Sequence, residues 1–170
     1  NSFSNTSVGL PATNTIGRLR VEVSPAAANN VYVLVAKTSS QNWGFEGLYR
    51  STNSGLNFFK TAENDDIFGS SQAWYDLALA VSPTNSNEIY VGVLDIWKST
   101  NGGGNFTKIN SWFQQTPSYT HADIHFMRFY NGVLYAGTDG GVYKSSNGGS
   151  NFTDLTENLA ISQFYKITVS

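Results

Sequence analysis

The two histidines of the chain, His121 and His125, flank Asp123 at spacing i, i+2, i+4. In an extended strand, residues two apart point to one face. Two imidazoles and a carboxylate on one face are the donor set of a transition-metal site with an open position. The same three groups also suit a hydrogen-bonded polar lining. That lining is the expectation, and no metal or other cofactor is called for.

A second carboxylate of interest is Asp139, in the turn Thr138-Asp139-Gly140-Gly141. Aromatic side chains surround these groups in the sequence. Trp74 and Tyr75 follow one long polar insertion (63–73), and Tyr119, Trp112 and Phe113 sit in another connection. An insertion at 37–46 carries Trp43 and Phe45. Flat rings on loops stack on sugar faces or anchor peptides; the alternative is that they fold back over the rim of the structure. The candidate ligand-binding set is therefore His121, Asp123, His125, Asp139, Trp74, Tyr75 and Tyr119.

The elements that position these residues come from a repeat. Residues 47–58 (GLYRSTNSGLNF), 95–106 (DIWKSTNGGGNF) and 141–152 (GVYKSSNGGSNF) align with one another. A second pattern recurs ahead of each. RVEVSP (20–25) precedes VYVLVA (31–36), LALAVSP (77–83) precedes IYVGVL (89–94), and Phe126 to Tyr130 precedes LYAGT (134–138). Each unit reads as four short strands, and a period of about 45 residues with four strands per unit is that of a propeller blade. Strands such as 77–81 are apolar on both faces, as sheets sandwiched between neighbours require. No segment carries a helical period.

The predicted fold is therefore all-β: a β-propeller fragment of about three four-stranded antiparallel blades with partial blades at both ends. Residues 1–17 are read as the tail of a preceding blade, 18–62 as a blade, 63–110 as a blade with an inserted loop, 111–158 as a blade, and 159–170 as the first strand of a following one. Both ends read as cuts through a longer protein. Closure takes at least four blades. The terminal sheets should then expose apolar faces, to be covered by the remainder of the propeller or by another chain.

In the turn Ser99-Thr100-Asn101-Gly102-Gly103, Ser and Asn side chains can bond nearby backbone N–H groups, and Gly103 can take φ > 0. Here the repeat resembles the Asp-box (BNR) family, with its Ser-x-Asp-x-Gly-x-x-Trp pattern. It departs in all three copies. Asn53, Asn101 and Asn147 stand in place of Asp, and Phe58, Phe106 and Phe152 in place of Trp. Asn keeps the acceptor oxygen but not the charge that could recruit a cation. The runs 121–125 (HADIH), 135–145 (YAGTDGGVYKS) and 159–165 (LAISQFY) make the chain look like sortilin-like and glycoside hydrolase family 74-like propellers of secreted bacterial proteins. That resemblance implies a secreted or cell-surface location, and it makes Asp139 the match to a catalytic Asp of family 74. The partner acid in that family lies on another propeller domain, and hydrolysis needs two carboxyls.

Composition narrows the rest. Charged residues are 13% of the chain and the net charge is −2, with Lys and Arg scattered singly, so no nucleic-acid surface is expected. There is no Cys, hence no disulfide, thiolate zinc site or Cys nucleophile. No apolar run reaches the ~18 residues of a membrane span. No phosphate loop, dinucleotide fingerprint or Ser/His/Asp arrangement is present. The expected function is a non-catalytic binding or scaffold segment of a larger secreted or cell-surface propeller, holding glycan or polypeptide. The alternative is part of a family 74-like glycoside hydrolase acting on a β-glucan-type polysaccharide.

Overall fold

The structure, a computed structural model, describes residues 8–157 and residue 159. Its strands form three four-stranded antiparallel sheets in chain order. The first holds β1 (Ile16–Ser24), β2 (Ala27–Lys37), β3 (Phe45–Ser51) and β4 (Phe59–Lys60). The second holds β5 (Ala78–Val81), β6 (Ile89–Gly92), β7 (Ile96–Ser99) and β8 (Thr107–Lys108). The third holds β9 (Ile124–Tyr130), β10 (Val133–Thr138), β11 (Gly141–Ser145) and β12 (Thr153–Asp154). Each sheet is a simple meander, the blade the repeat predicts. The helical turns among the described residues are three residues long, at Thr13–Thr15 and Ser39–Gln41. Among the described residues, no helix is long and apolar enough to cross a membrane.

The core lies between blades, and the sequence shows why. Leu79 and Val81 point from β5 into a cluster with Tyr32, Leu34 and Leu48 of the first blade. Ala78 and Ala80 point the other way, onto Ile124, Met127, Leu134 and Ala136 of the third. β5 and β6 are thus buried on both faces. Burying each Leu or Ile this way contributes roughly 1.5–3 kcal/mol. The small residues set the spacing. A Cβ at Gly92 would meet Ile124 Cγ2 at 2.6 Å, so a larger residue would push the third blade away.

The first strands lie side by side, with β5 between β1 and β9. Arg20 Nε donates to the Leu77 carbonyl at 2.7 Å and Ser24 Oγ to the Ser82 carbonyl at 2.6 Å, fixing β1 against β5. The outward faces of the two end blades are apolar and exposed: Leu19, Val21 and Val23 on β1, Phe126 and Tyr130 on β9.

The three Ser-x-Asn-x-Gly turns are superimposable in their bonding. Ser51, Ser99 and Ser145 Oγ accept the N–H of Gly55, Gly103 and Gly149 at 2.9, 2.9 and 2.8 Å. Asn53, Asn101 and Asn147 Oδ1 accept the N–H of Asn57, Asn105 and Asn151 at 2.9, 3.1 and 3.0 Å. Gly103 has φ of +90°, the left-handed conformation the turn demands. The N–H of the Phe after each turn donates into the connection that precedes its blade: Phe58 to the Val8 carbonyl, Phe106 to Glu63 Oε2, Phe152 to the Pro117 carbonyl.

One local expectation is corrected. Phe45 is not a loop aromatic. It opens β3 and is buried against Phe68 in an edge-on pair at 5.3 Å, because β2 and β3 run into the 37–46 insertion and leave a short connection. The strand expected within 159–170 lies outside the described residues, Leu159 apart.

Candidate functional site

Three elements meet where the inner strands begin. β9 carries His125 as its second residue. β10 ends at Thr138, and Asp139 occupies the turn into β11. The connection between β4 and β5 delivers Trp74 and Tyr75 just before β5, the neighbour of β9. Their side chains converge. His125 Nε2 is 2.5 Å from Asp139 Oδ1. The Tyr75 hydroxyl donates to Asp139, 3.1 Å from each carboxylate oxygen. The Tyr75 ring stands edge-on to the His125 imidazole at 4.7 Å, and Trp74 packs on Tyr75 at 5.5 Å. Trp74 is 57% exposed, so its face is open to solvent beside a carboxylate and an imidazole.

The turn that presents Asp139 is built by Thr138, whose Oγ1 accepts the Gly140 N–H at 3.1 Å and donates to the Gly141 carbonyl at 3.1 Å. The Trp74 loop is tied down by Arg18 of β1, whose Nη1 donates to the carbonyls of Ala73 (3.2 Å) and Trp74 (2.9 Å). Burial lowers the pKa of that guanidinium, as does nearby Arg20, while Asp76 opposes the shift.

Behind the mouth lies a second carboxylate layer. Gln72 Nε2 bridges Asp76 Oδ2, at 2.8 Å, and Asp123 Oδ1. Asp76 is fully buried and its Oδ1 has no hydrogen-bond partner. Burial pushes its carboxyl up to about 6; the Gln72 bond opposes this and the charge of Asp123 adds to it. The bond to Asp139 raises the pKa of Tyr75 above the usual phenol value, with desolvation second.

The predicted alternation of His121, Asp123 and His125 fails. Asp123 has φ of 64°, a left-handed residue that breaks the strand, and β9 begins only at Ile124. The three side chains therefore diverge: His125 to Asp139, Asp123 to Gln72, His121 against Gly140. No three His, Asp or Glu side chains among the described residues are grouped to hold a metal ion. Tyr119 is displaced from the expected mouth too. It stands edge-on to Tyr143 at 6.0 Å and lines a separate depression with His121, Gly140 and Asp154. Of the seven candidates, Trp74, Tyr75, His125 and Asp139 lie in one cluster, Asp123 contacts Gln72 behind it, and His121 and Tyr119 lie together in the separate depression. Sequence reading missed Arg18, Gln72 and Asp76. Nothing in their spacing marks them; only the packing of β1, β5 and β9 brings them together.

No family model and no curated protein matches the chain. Solved structures do. A GH74 enzyme from Niastella koreensis superimposes with a TM-score of 0.55 and 27% identity, over 82% of this chain and 22% of its own. The GH74 xyloglucanase from Xanthomonas campestris gives 0.55 and 16% over 84% and 24%. YCF48 bound to D1 peptide gives 0.55 and 16% over 86% and 41%. These propeller proteins and the three consecutive blades establish the fold as a β-propeller segment. The chain spans between about a fifth and two fifths of the length of these neighbours.

Proposed function

We propose that this chain is a segment of a larger secreted or cell-surface propeller built from Asp-box-type repeats, and that the Trp74–Tyr75–His125–Asp139 mouth binds a glycan or polypeptide without transforming it. The observation that carries this reading is the exposed Trp74 and Tyr75 pair set directly beside the His125–Asp139 pair. Aromatic faces supply apolar contact area, and the carboxylate and imidazole give directional bonds to hydroxyl or amide groups.

Binding is favoured over catalysis because the carboxylates are committed. Asp139 is held by both Tyr75 and His125, Asp123 by Gln72, and Asp76 is out of reach of any solute. Glycoside hydrolysis requires two carboxyls flanking the scissile bond. The second reading, part of a family 74-like hydrolase with Asp139 as one acid, is supported by the Thr138-Asp139-Gly140-Gly141 turn and by the likeness to GH74 enzymes. Its other acid would lie outside this chain.

Calorimetric titration of the full-length protein with xyloglucan oligosaccharides and with a peptide panel tests the proposal. Binding without cleavage that is lost in Trp74→Ala supports it. Cleavage of the oligosaccharide that disappears in Asp139→Asn establishes the hydrolase instead. Binding left intact in both variants removes this mouth from consideration.

A further inference from the structure

Each of the two observed blade junctions carries a tyrosine–cation pair that reaches the next blade, at the first junction mainly through the β5–β6 connection and at the second through the turn after β11. In the first blade, Tyr32 and Arg50 are cross-strand partners, with the guanidinium over the ring at 5.6 Å. The Tyr32 hydroxyl donates to the Ser86 carbonyl of the next blade at 2.5 Å, and Arg50 Nη1 to Asn87 Oδ1 at 3.1 Å. In the second blade, Tyr90 and Lys98 are the cross-strand pair, with the ammonium over the ring at 5.2 Å. Tyr90 Oη and Lys98 Nζ lie 3.1 and 2.9 Å from the Gly148 carbonyl of the third blade.

At both junctions the cation rests on the same turn position. A Cβ at Gly102 would sit 2.9 Å from Arg50 Nη1, and one at Gly148 would sit 2.9 Å from Lys98 Nζ. What the two junctions have in common is a socket: the cation set close against the glycine of the next blade's Ser-x-Asn-x-Gly turn, with the tyrosine hydroxyl beside it donating to a backbone carbonyl of that blade.

The third blade repeats the socket. Tyr135 and Lys144 are cross-strand partners at the matching positions of β10 and β11. Neither the hydroxyl nor the ammonium has a hydrogen-bond or ion-pair partner among the described residues. Tyr135 also lines an open apolar depression with Phe126, Arg128 and Tyr130.

We infer that Tyr135 and Lys144 form the docking socket for a fourth blade of the same polypeptide, one whose Ser-x-Asx-x-Gly turn carries glycine at the position of Gly102 and Gly148. Two features select this occupant. The socket continues an interface seen twice, in the same order along the chain. A second copy of the chain would instead present its first blade, whose turn carries Ser54 at that position. The Ser54 side chain stands where the cation must approach, and its hydroxyl is bonded to Asn29 at 3.3 Å. Solved neighbours that extend well beyond the matched segment fit a propeller that continues.

Amine-reactive labelling of the full-length protein, read by mass spectrometry at each lysine, tests the socket. Lys60, with 38% of its side chain exposed, is the fast reference, and Lys98, with 20%, the protected one. Lys144 should react well below the rate of Lys60, though not as slowly as Lys98, which is also paired with Glu88 of its own blade. Tyr135→Phe, which removes only the hydroxyl, should lower the Tm, by less than Tyr90→Phe because the Tyr90 hydroxyl also bonds Glu88 of its own blade, and should speed labelling of Lys144. Labelling of Lys144 at the rate of Lys60, with an unchanged Tm in Tyr135→Phe, would overturn the inference. Protection that vanishes on dilution would overturn it as well, since the occupant would then be a second molecule.

Discussion

His125 Nε2 lies 2.5 Å from Asp139 Oδ1. His125 stands on β9 and Asp139 in the turn that follows β10, and the antiparallel pairing of β9 with β10 places them at the same end of the blade. Tyr75 reaches the same carboxylate from the neighbouring blade. Asp139→Asn tests the junction. Its charge and its full acceptor capacity are what hold the Tyr75 phenol above its ordinary pKa. The variant should return Tyr75 toward the ordinary phenol value. The readout is the tyrosinate absorbance titration of Asp139→Asn, minus that of the same variant carrying Tyr75→Phe. A Tyr75 titration unmoved by Asp139→Asn would mean the bond does not form in solution.

Trp74 separates binding from stability. Its side chain is mostly exposed, and the hydrogen bond that anchors its loop goes to its backbone carbonyl, not its ring. Trp74→Ala should therefore change stability by no more than about 0.5 kcal/mol. It should weaken any glycan or peptide bound at the mouth. Chemical denaturation and ligand titration on the same sample provide both numbers. A large loss of stability would show that the ring covers the loop and does not wait for a ligand.

The Ser-x-Asn-x-Gly turns should behave in the opposite way. Asn101→Ala deletes the acceptor of the Asn105 N–H and of the Ser99 hydroxyl. It should cost about 1–2 kcal/mol, with ligand affinity unchanged. Gly103→Ala should cost more than Asn101→Ala. It adds strain at φ of +90° and drives a Cβ to within 2.7 Å of Leu48 Cδ2 across the blade junction. Denaturation midpoints rank the two. Asn101→Ala with intact stability and lost affinity would make the turn a ligand site.

How much of this was legible depended on whether the information was local. The blades were legible because each repeat carries its own turn chemistry: Ser, Asn and Gly at fixed offsets satisfy each other within five residues, as Ser99, Asn101 and Gly103 do. The site was legible only in part. Asp139 and His125 stood out by type, and Trp74 and Tyr75 by their place after an insertion. The face shared by His121, Asp123 and His125 was misjudged because alternation holds only inside a strand, and Asp123 in a left-handed conformation ends it. Gln72 and Asp76 had no local mark at all. Their role comes from the approach of the β4–β5 connection to the start of β9, a contact between blades.

Asp76 carries a pH dependence of its own. Its carboxyl is buried with one oxygen unpartnered, and the other accepts from Gln72 Nε2, which also serves Asp123. Burial comes first in raising it from 3.8 to about 6. The sign follows from linkage. Below the unfolded value both states hold the proton, and stability is full. As pH rises from about 4 to about 6, the unfolded chain releases the proton while the folded chain keeps it, so stability falls. Above the folded value the loss is complete, at most about 3 kcal/mol for a shift of this size. Asp76→Asn keeps a neutral group of the same shape and an acceptor for Gln72, and it has no proton to release. Subtracting its denaturation free energy from that of the wild-type chain at each pH cancels the other carboxylates. The variant should gain on the wild type steadily between pH 4 and pH 6 and hold a constant advantage above that. A difference curve that is flat across this window would mean that Asp76 is ionised in the fold, held by water or a cation at the Oδ1 side.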